Sequence, residues 1–529
     1  MKKTKSYFSL LCVFLIFTLI TSCTFIQTKV EPLNKNKIQE SERYIIKSSA
    51  KVHLYDGSVV MFEKGFTVIG DTINGNGWRY NLTRNYSTSV KSVPIDSVAC
   101  IEYYKKEWQT GAFLASIPPI AVASFVGGMI LWVSIFGSCP TIYSFDGEDY
   151  TLEAEEFSYS IAKRFEGNDF DRLDFGKTVN GKYTIKVANE ALETHYINNL
   201  FLLTVDHPSG YEVFPTKKRD IILFGKEAQI LEAISKSGSN VTGLISDRDN
   251  YWYQSDSLVV QELTHTITRD WIDVKVRVPQ DAKKMYIAFR LRNTLLNTIL
   301  LYDVMLGSQG FEAVDWLGSK TSNIFYALKL DKWYQKHFGL HIQMFDGEKY
   351  KEVIRISDTG PIAWHQEAVE LSVPDEDIAQ LRFSFLPDNW FIDWIGVSFD
   401  RNENYSINTI ACSELTDYKG NRRDSLIALF KKKDKDYFVT YPGESYLLKF
   451  KVGNVPEGMR RAYFVKSRGF YIEWLRKKWL TKTKLERKEL KLEFNDETII
   501  KTAQLWIAKK PQYNKKFYES KLPCREGNN

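Results

Sequence analysis

From Tyr183 onward the chain keeps returning to one pattern, apolar side chains at every second position over short runs. It is clear at Tyr183, Ile185 and Val187, at Val274, Val276 and Val278, at Val369, Leu371 and Val373, and at Leu381, Phe383 and Phe385. Later copies are Leu448, Phe450 and Val452, then Leu490, Leu492 and Phe494. A period of two places one face in a core and the other in water, the signature of a strand. Turn signals separate the runs, as in sandwiches rather than α/β units. Tyr44 to Tyr104 repeats the pattern on a smaller scale, where Asp56-Gly57 and Asn74-Gly75-Asn76-Gly77 are expected to supply the positive φ of tight hairpins. An aromatic share of 14% points the same way, since Tyr and Trp favour strands and half-wet surfaces. The expected fold class is mainly β: several β-sandwich-like modules behind a small N-terminal β domain.

The N-terminus is built differently. Lys2, Lys3 and Lys5 form a cationic head, Tyr7 to Ile20 an apolar run, and Thr21 and Ser22 lead into Cys23. That is the plan of a secretory signal. The apolar run would rise only about 21 Å as a helix, short of the ~30 Å hydrocarbon core. Ile20-Thr21-Ser22-Cys23 resembles the bacterial lipobox, in which the cysteine thiol receives a diacylglycerol and becomes the new N-terminus. Cys23 is therefore the expected lipid-attachment site, and the expected location is the cell envelope, on the exported side of a membrane. Each buried methylene contributes about 0.8 kcal/mol, so several acyl chains hold where one only lingers.

Between Glu107 and Asp146 there is no charged side chain. Gly111 to Gly137 is long and apolar enough for a transmembrane candidate, although Pro118-Pro119 would break a helix near its start. The flanks run against the positive-inside tendency: Lys105 and Lys106 precede the segment, and Asp146 and Glu148 follow it. A single span, a re-entrant hairpin bending at Gly127-Gly128 and a protein-covered apolar helix are three readings. Membrane association with residues 23 onward outside is the expectation.

The resulting organisation is a signal over 1–22, a tether over 23–42, a small β domain over 43–106 and an apolar segment over 111–137. Sandwich-like domains are expected over 139–309 and 310–401, and a β-rich C-terminal domain over 402–529. The last would carry an amphipathic basic helix from Phe470 to about Lys488, with Ile472, Leu475, Trp479 and Leu485 on its apolar side. Phe145-Asp146-Gly147-Glu148 and Phe345-Asp346-Gly347-Glu348 recur, each with a tyrosine two residues on. They lack the oxygen series of a calcium loop and read as hairpin turns with an aromatic cross-strand pair. Cys100, Cys139, Cys412 and Cys524 could form disulfides in an exported chain, in three connectivities, or stay free.

Chemistry is harder to find. The net charge of +6 falls further once three lysines leave with the signal, too mild to imply nucleic acid. No nucleophile elbow, phosphate loop or dinucleotide fingerprint occurs. His337 and His341 in "HFGLH" lack the glutamate of a zinc helix. No catalytic residue, cofactor or metal is expected. The region of most interest is 358–394, where Trp364 and the run Asp388-Asn389-Trp390 set aromatic faces beside short polar groups. Such residues suit sugar recognition, or else the tryptophans close a sandwich core while Asp-Asn makes a turn.

"SCPTIYSFDGEDYTLEAEEF" (138–157), "LLTVDHP" (202–208), "LRFSFLPDNWFIDWI" (381–395) and "RAYFVKSRGFYIEWL" (461–475) resemble stretches shared by a family of large uncharacterised bacterial envelope proteins, notably in Bacteroidota, many described only as lipoproteins. The resemblance implies exported, β-rich modules behind an apolar segment ending in Ser-Cys-Pro, and no known activity. The functional expectation is a membrane-anchored envelope lipoprotein with a binding or structural role and no catalysis, its partners the membrane and a glycan or another envelope protein. A glycan-binding adhesin and a glycan-active hydrolase are the alternatives. The anchor is tested directly: an alkyne palmitate should label the parent protein, and Cys23→Ala should lose both the label and membrane fractionation.

Overall fold

The computed structural model describes residues 25–33, 43–109, 140–474 and 495–524, apart from scattered positions within them, together with 476 and 479. Cys23, the signal, most of the tether, the apolar segment 111–137 and Cys139 lie outside the described residues, as does the side chain of Cys100. Among the described residues no helix is long and apolar enough to cross a membrane. The protein is mainly β, in several sheets, and divides into two compact units.

The first unit is an eight-stranded antiparallel sheet, with Val98–Gln109 between Phe25–Leu33 and Ala50–Leu54. Alternate residues Val52, Val60, Phe62, Ile73 and Ile101 fill its core.

The second unit is two sandwiches, one inserted into the other. The first is discontinuous. One of its sheets orders Tyr150–Glu155, Thr141–Phe145, Lys182–Ala188, Ser445–Lys451 and Glu414–Asp417. The other orders Gly167–Leu173, Met459–Glu473, Glu193–Pro208 and Ser406–Ala411. Tyr183, Ile185, Val187, Leu448 and Phe450 from one sheet meet Leu200, Leu202, Val465 and Tyr471 from the other. The inserted sandwich uses only residues 230–398. Its five-stranded sheet centres on Asp270–Arg277 and Ile378–Phe385, and its three-stranded sheet on Lys284–Asn293 between His365–Ser372 and Trp390–Ser398. The boundaries expected near 310 and 402 are thus corrected: residues 139–309 and 402–529 share both sheets of the first sandwich. Sequential periodicity locates strands, but it is silent on which distant strands pair.

A small sheet of Glu212–Pro215, Ile221–Phe224 and Arg401–Asn402 joins the two sandwiches. Its alternation is used on both sides. Val213, Ile221 and Leu223 pack on Phe170, Leu203 and Phe464 of the first sandwich. Phe214, Ile222 and Phe224 pack on Tyr286, Ala288 and Trp394 of the second, with Phe214 stacked on Trp394 at 5.7 Å between ring centroids. A helical layer completes the unit. Ile324–Phe338 and Asp496–Glu519 enclose Leu296, Ile299, Leu300, Trp333, Ile499, Ala503 and Trp506.

The basic helix expected from Phe470 is also corrected. Phe470 to Glu473 end the strand Met459–Glu473, paired with Glu193 to Tyr196, and both of its faces are buried. Helical spacing there competes with a strand that is covered on two sides, and burial decides. The rest of that segment lies outside the described residues, apart from Arg476 and Trp479. Both Phe-Asp-Gly-Glu sequences are hairpin turns. Asp146 Oδ1 accepts the Glu148 and Asp149 N–H groups at 2.9 Å, and Gly147 sits at φ +113°. Phe145 and Tyr150 lie 5.0 Å apart, and Phe345 and Tyr350 5.4 Å. Cys412 and Cys524 are free thiols, so the pairing open to these two does not form. Cys412 donates to Glu414 O at 3.1 Å instead, and burial pushes its thiol up to about 11.

Because the joining sheet is apolar on both faces, the two sandwiches should unfold together. Phe214→Ala and Leu223→Ala, on its opposite faces, should each cost about 3–4 kcal/mol. Urea unfolding followed by tryptophan fluorescence and circular dichroism should show one coincident transition, shifted in each variant.

Candidate functional site

The strand Gly167–Leu173 reads Gly-Asn-Asp-Phe-Asp-Arg-Leu, so Asp169 and Asp171 leave the same face two residues apart. It pairs with Met459–Glu473, which sets Ser467 opposite Asp169. Glu155 ends the strand Tyr150–Glu155, and Glu156 follows it. From the inserted sandwich, His365 and Glu367 share a face of His365–Ser372. These side chains converge at one cleft of about 300 Å³, lined by Glu155, Asp169, Asp171, His365 and Glu367, with Tyr159 among its walls. Glu156 lies behind them, fully buried.

The hydrogen bonds are specific. His365 Nδ1 is 2.8 Å from Asp171 Oδ1, and its Nε2 is 3.4 Å from Glu367 Oε2. Asp169 accepts the Phe157 N–H at 2.7 Å and the Phe170 N–H at 3.0 Å. Phe157 is held at φ +44°, a conformation an aromatic residue rarely takes. Glu155 accepts the Ile362 N–H at 2.7 Å, under Gly360, where any Cβ would come within 2.6 Å of the Glu155 carboxylate. Ser467 donates to Glu156 Oε2. Glu156 Oε1, Asp171 Oδ2 and Glu367 Oε1 are buried with no hydrogen-bond partner among the described residues. One oxygen each from Glu156, Asp169 and Asp171 lies within 4.8 Å of the others, so these three could hold a metal ion.

Crowded buried acids resist ionisation. Burial, then the charges of Asp171 and Asp169, raise Glu156 well above the usual carboxylate range. Burial and Asp171 push Asp169 up to about 7. His365 goes the other way: burial opposes its charge, but the hydrogen bonds to Asp171 and Glu367 prevail and hold it well above 6.5. The array can thus retain protons near neutral pH, accept donors from a ligand, or share a cation.

The residues singled out at 364–390 go elsewhere. Trp390 is 0% exposed, with Nε1 donating to Phe338 O at 3.1 Å, and Asn389 donates to the same carbonyl at 2.9 Å. Asp388, in a left-handed turn at φ +59°, accepts from Gln254, Trp506 and Lys510 at 2.6, 2.5 and 2.7 Å. With no exposed ring face, Trp390 is a core residue, and Asp388-Asn389 is the turn that delivers it there. Trp364 is half-buried in a separate cluster, with the guanidinium groups of Arg290 and Arg292 at 4.6 and 4.7 Å from its ring. His341 contacts Glu352 at 2.8 Å and is not paired with His337. The cleft residues went unselected among 65 carboxylates. The signal that could have found them is charge at period two within strands, Asp-Phe-Asp and His-Gln-Glu.

No family model matches the chain, and no curated protein matches it. Among solved structures, it is similar to a GH31 alpha-xylosidase from Xanthomonas citri at 10% identity and a TM-score of 0.17, covering 80% of this chain and 38% of that one. Allantoicase matches at 8% identity and 0.17, covering 52% and 98%. A cycloalternan-forming enzyme from Listeria monocytogenes matches at 7% and 0.17, covering 68% and 29%. Likeness at that level carries no argument about fold or function.

The titrations have a consequence for stability. The folded-state values of Glu156 and Asp169 lie above those of the unfolded chain, so the folded state holds more protons and stability falls as pH rises, for Asp169 from about 4 to about 7. His365 adds the same sign above 6.5. In chelator-containing buffer, thermal melts should show Glu156→Gln more stable than the parent at pH 8, with the gap closing towards pH 5.

Proposed function

We propose that the chain is a lipid-anchored protein of the cell envelope whose second unit binds a glycan in the acidic cleft without transforming it. The lipobox-like Ile20 to Cys23 supports the anchor, and the uncharged run 111–137 supports a further membrane contact. The observation that carries the ligand reading is the set of buried carboxylate oxygens without donors among the described residues, on Asp171 and Glu367 in the wall of a cleft open to solvent, with a third on Glu156 behind them. A buried carboxylate without a donor is costly, and sugar hydroxyls supply donors without adding charge. Tyr159 supplies an apolar face. The residue is 42% exposed and its hydroxyl donates to Asn168 O at 2.8 Å, so stacking a sugar on it orders little that is not already ordered.

Hydrolysis is the second reading, favoured by Asp169. An acid held to about 7 keeps the proton a general acid must deliver near neutral pH. Release of reducing ends from a bound glycan, lost in Asp169→Asn, would favour hydrolysis over binding. For the binding reading, a glycan array should identify a ligand, and calorimetry should show Asp171→Asn weakening it about 10–100-fold, the loss of one hydrogen bond to a charged group. Tyr159→Ala should weaken it as well. Undiminished affinity in both variants, with unchanged melting temperatures, would place the ligand elsewhere.

A further inference from the structure

We propose that Glu156, Asp169 and Asp171 bind one calcium ion at the inner end of the acidic cleft. The chemistry of the donors comes first. All three are carboxylates, and hard oxygen donors select hard cations. The nearby imidazole is not available as a ligand, because His365 directs Nδ1 at Asp171 and Nε2 at Glu367. Geometry comes next. Two oxygens on one ion lie no further apart than twice the metal–oxygen length, about 4.6–5.2 Å for calcium. The three oxygens lie within 4.8 Å of one another.

Donor supply is the independent observation. Glu156 is fully buried, with Oε2 taken by Ser467 and Oε1 without a partner among the described residues. Asp171 is 6% exposed, with Oδ1 on His365 and Oδ2 unpartnered. Glu367, outside the triad and 9% exposed, lines the same cleft with Oε1 unpartnered. Protons satisfy these oxygens one at a time, whereas a divalent ion touches three together. Lys217, the one lysine of the cleft wall among the described residues, does not take that place, since its Nζ donates to Arg355 O at 3.0 Å. Asp169 accepts one N–H on each oxygen, which leaves each a second lone pair for the ion and aims the carboxylate as a supporting shell does.

Three carboxylates leave three or more of calcium's six to eight positions to water or ligand oxygens on the cleft side. Bridging of a bound sugar's hydroxyls through the ion follows, and this last step alone rests on the glycan-binding reading.

The test uses the full chain, stripped with EDTA and desalted. Calorimetry with calcium chloride should give one site, and calcium should raise the melting temperature. Glu156→Gln and Asp171→Asn should each weaken calcium about 10–100-fold or more, while a parent-like or higher melting temperature of Glu156→Gln in EDTA shows that it folds. No heat from the folded parent at millimolar calcium, equal affinity in Glu156→Gln, or a response to magnesium but not calcium would each overturn the site. Glycan affinity measured with and without EDTA separates the two ideas. Calcium binding without any glycan ligand sustains the ion and sinks the glycan reading. Glycan affinity indifferent to EDTA sustains that reading and sinks the bridge.

Discussion

The antiparallel pairing of Glu193–Pro208 with Met459–Glu473 is the constraint from which the second unit follows. It runs from Glu193 opposite Glu473 to Pro208 opposite Met459, broken by one bulge near Ile197. Closing so long a loop carries an entropic cost that grows only slowly with loop length, and a paired ladder with both faces buried offsets it. Once the two strands pair, residues 230–398 must fold as an excursion from one edge, and the joining sheet holds both sandwiches by its two apolar faces. The same pairing makes the cleft. Met459–Glu473 also carries Gly167–Leu173 on its other edge, so Ser467, Asp169 and Asp171 are placed by backbone hydrogen bonds of the sheet. His365 and Glu367 arrive from the other sandwich. Glu155, Glu156, Asp169 and Asp171 therefore meet within the first sandwich, and the locking of its core to that of the second brings His365 and Glu367 onto them in a fixed array.

Local periodicity made the strands legible and left their partners hidden. The alternations at Tyr183, Val274, Val369, Leu381 and Leu448 coincide with observed strands, those ending at Val278, Val373 and Val452 running one residue past them. Phe-Asp-Gly-Glu could be read to the level of its hydrogen bonds because a turn is a local object. The insertion could not be read, since Leu202 opposite Val465 is set by pairing across the chain. Phe470 to Glu473 misled for a related reason: a strand covered on both faces loses its period of two, and its spacing then imitates a helix. Asp496–Glu519 is a helix inside the region expected to be β-rich. Ile499, Ala503, Trp506, Tyr513 and Phe517 keep helical spacing, but Pro511 inside the helix is a residue that normally ends one.

Asp388 and Asp171 show why the site was harder to read than the fold. Both are buried, at 1% and 6% exposure, and both belong to motifs with an aromatic neighbour. Asp388 looked the more functional, sitting beside Asn389 and Trp390. In the structure its two oxygens receive Gln254, Trp506 and Lys510, a neutral donor on each and an ammonium besides. It is a closed account of charge and donors, and it ties the C-terminal helix to the turn before Trp390–Ser398. Asp171 has one oxygen on His365 and one with no donor among the described residues, next to two more acids. Burial of a carboxylate is affordable when its own protein supplies the partners. Where it does not, the missing donors describe what must come from outside: something that brings hydroxyl hydrogens or positive charge into a cleft lined with oxygen. Both are buried aspartates with an aromatic residue within two positions along the chain, and only the census of donors, which requires the fold, tells a structural aspartate from one that waits for a ligand.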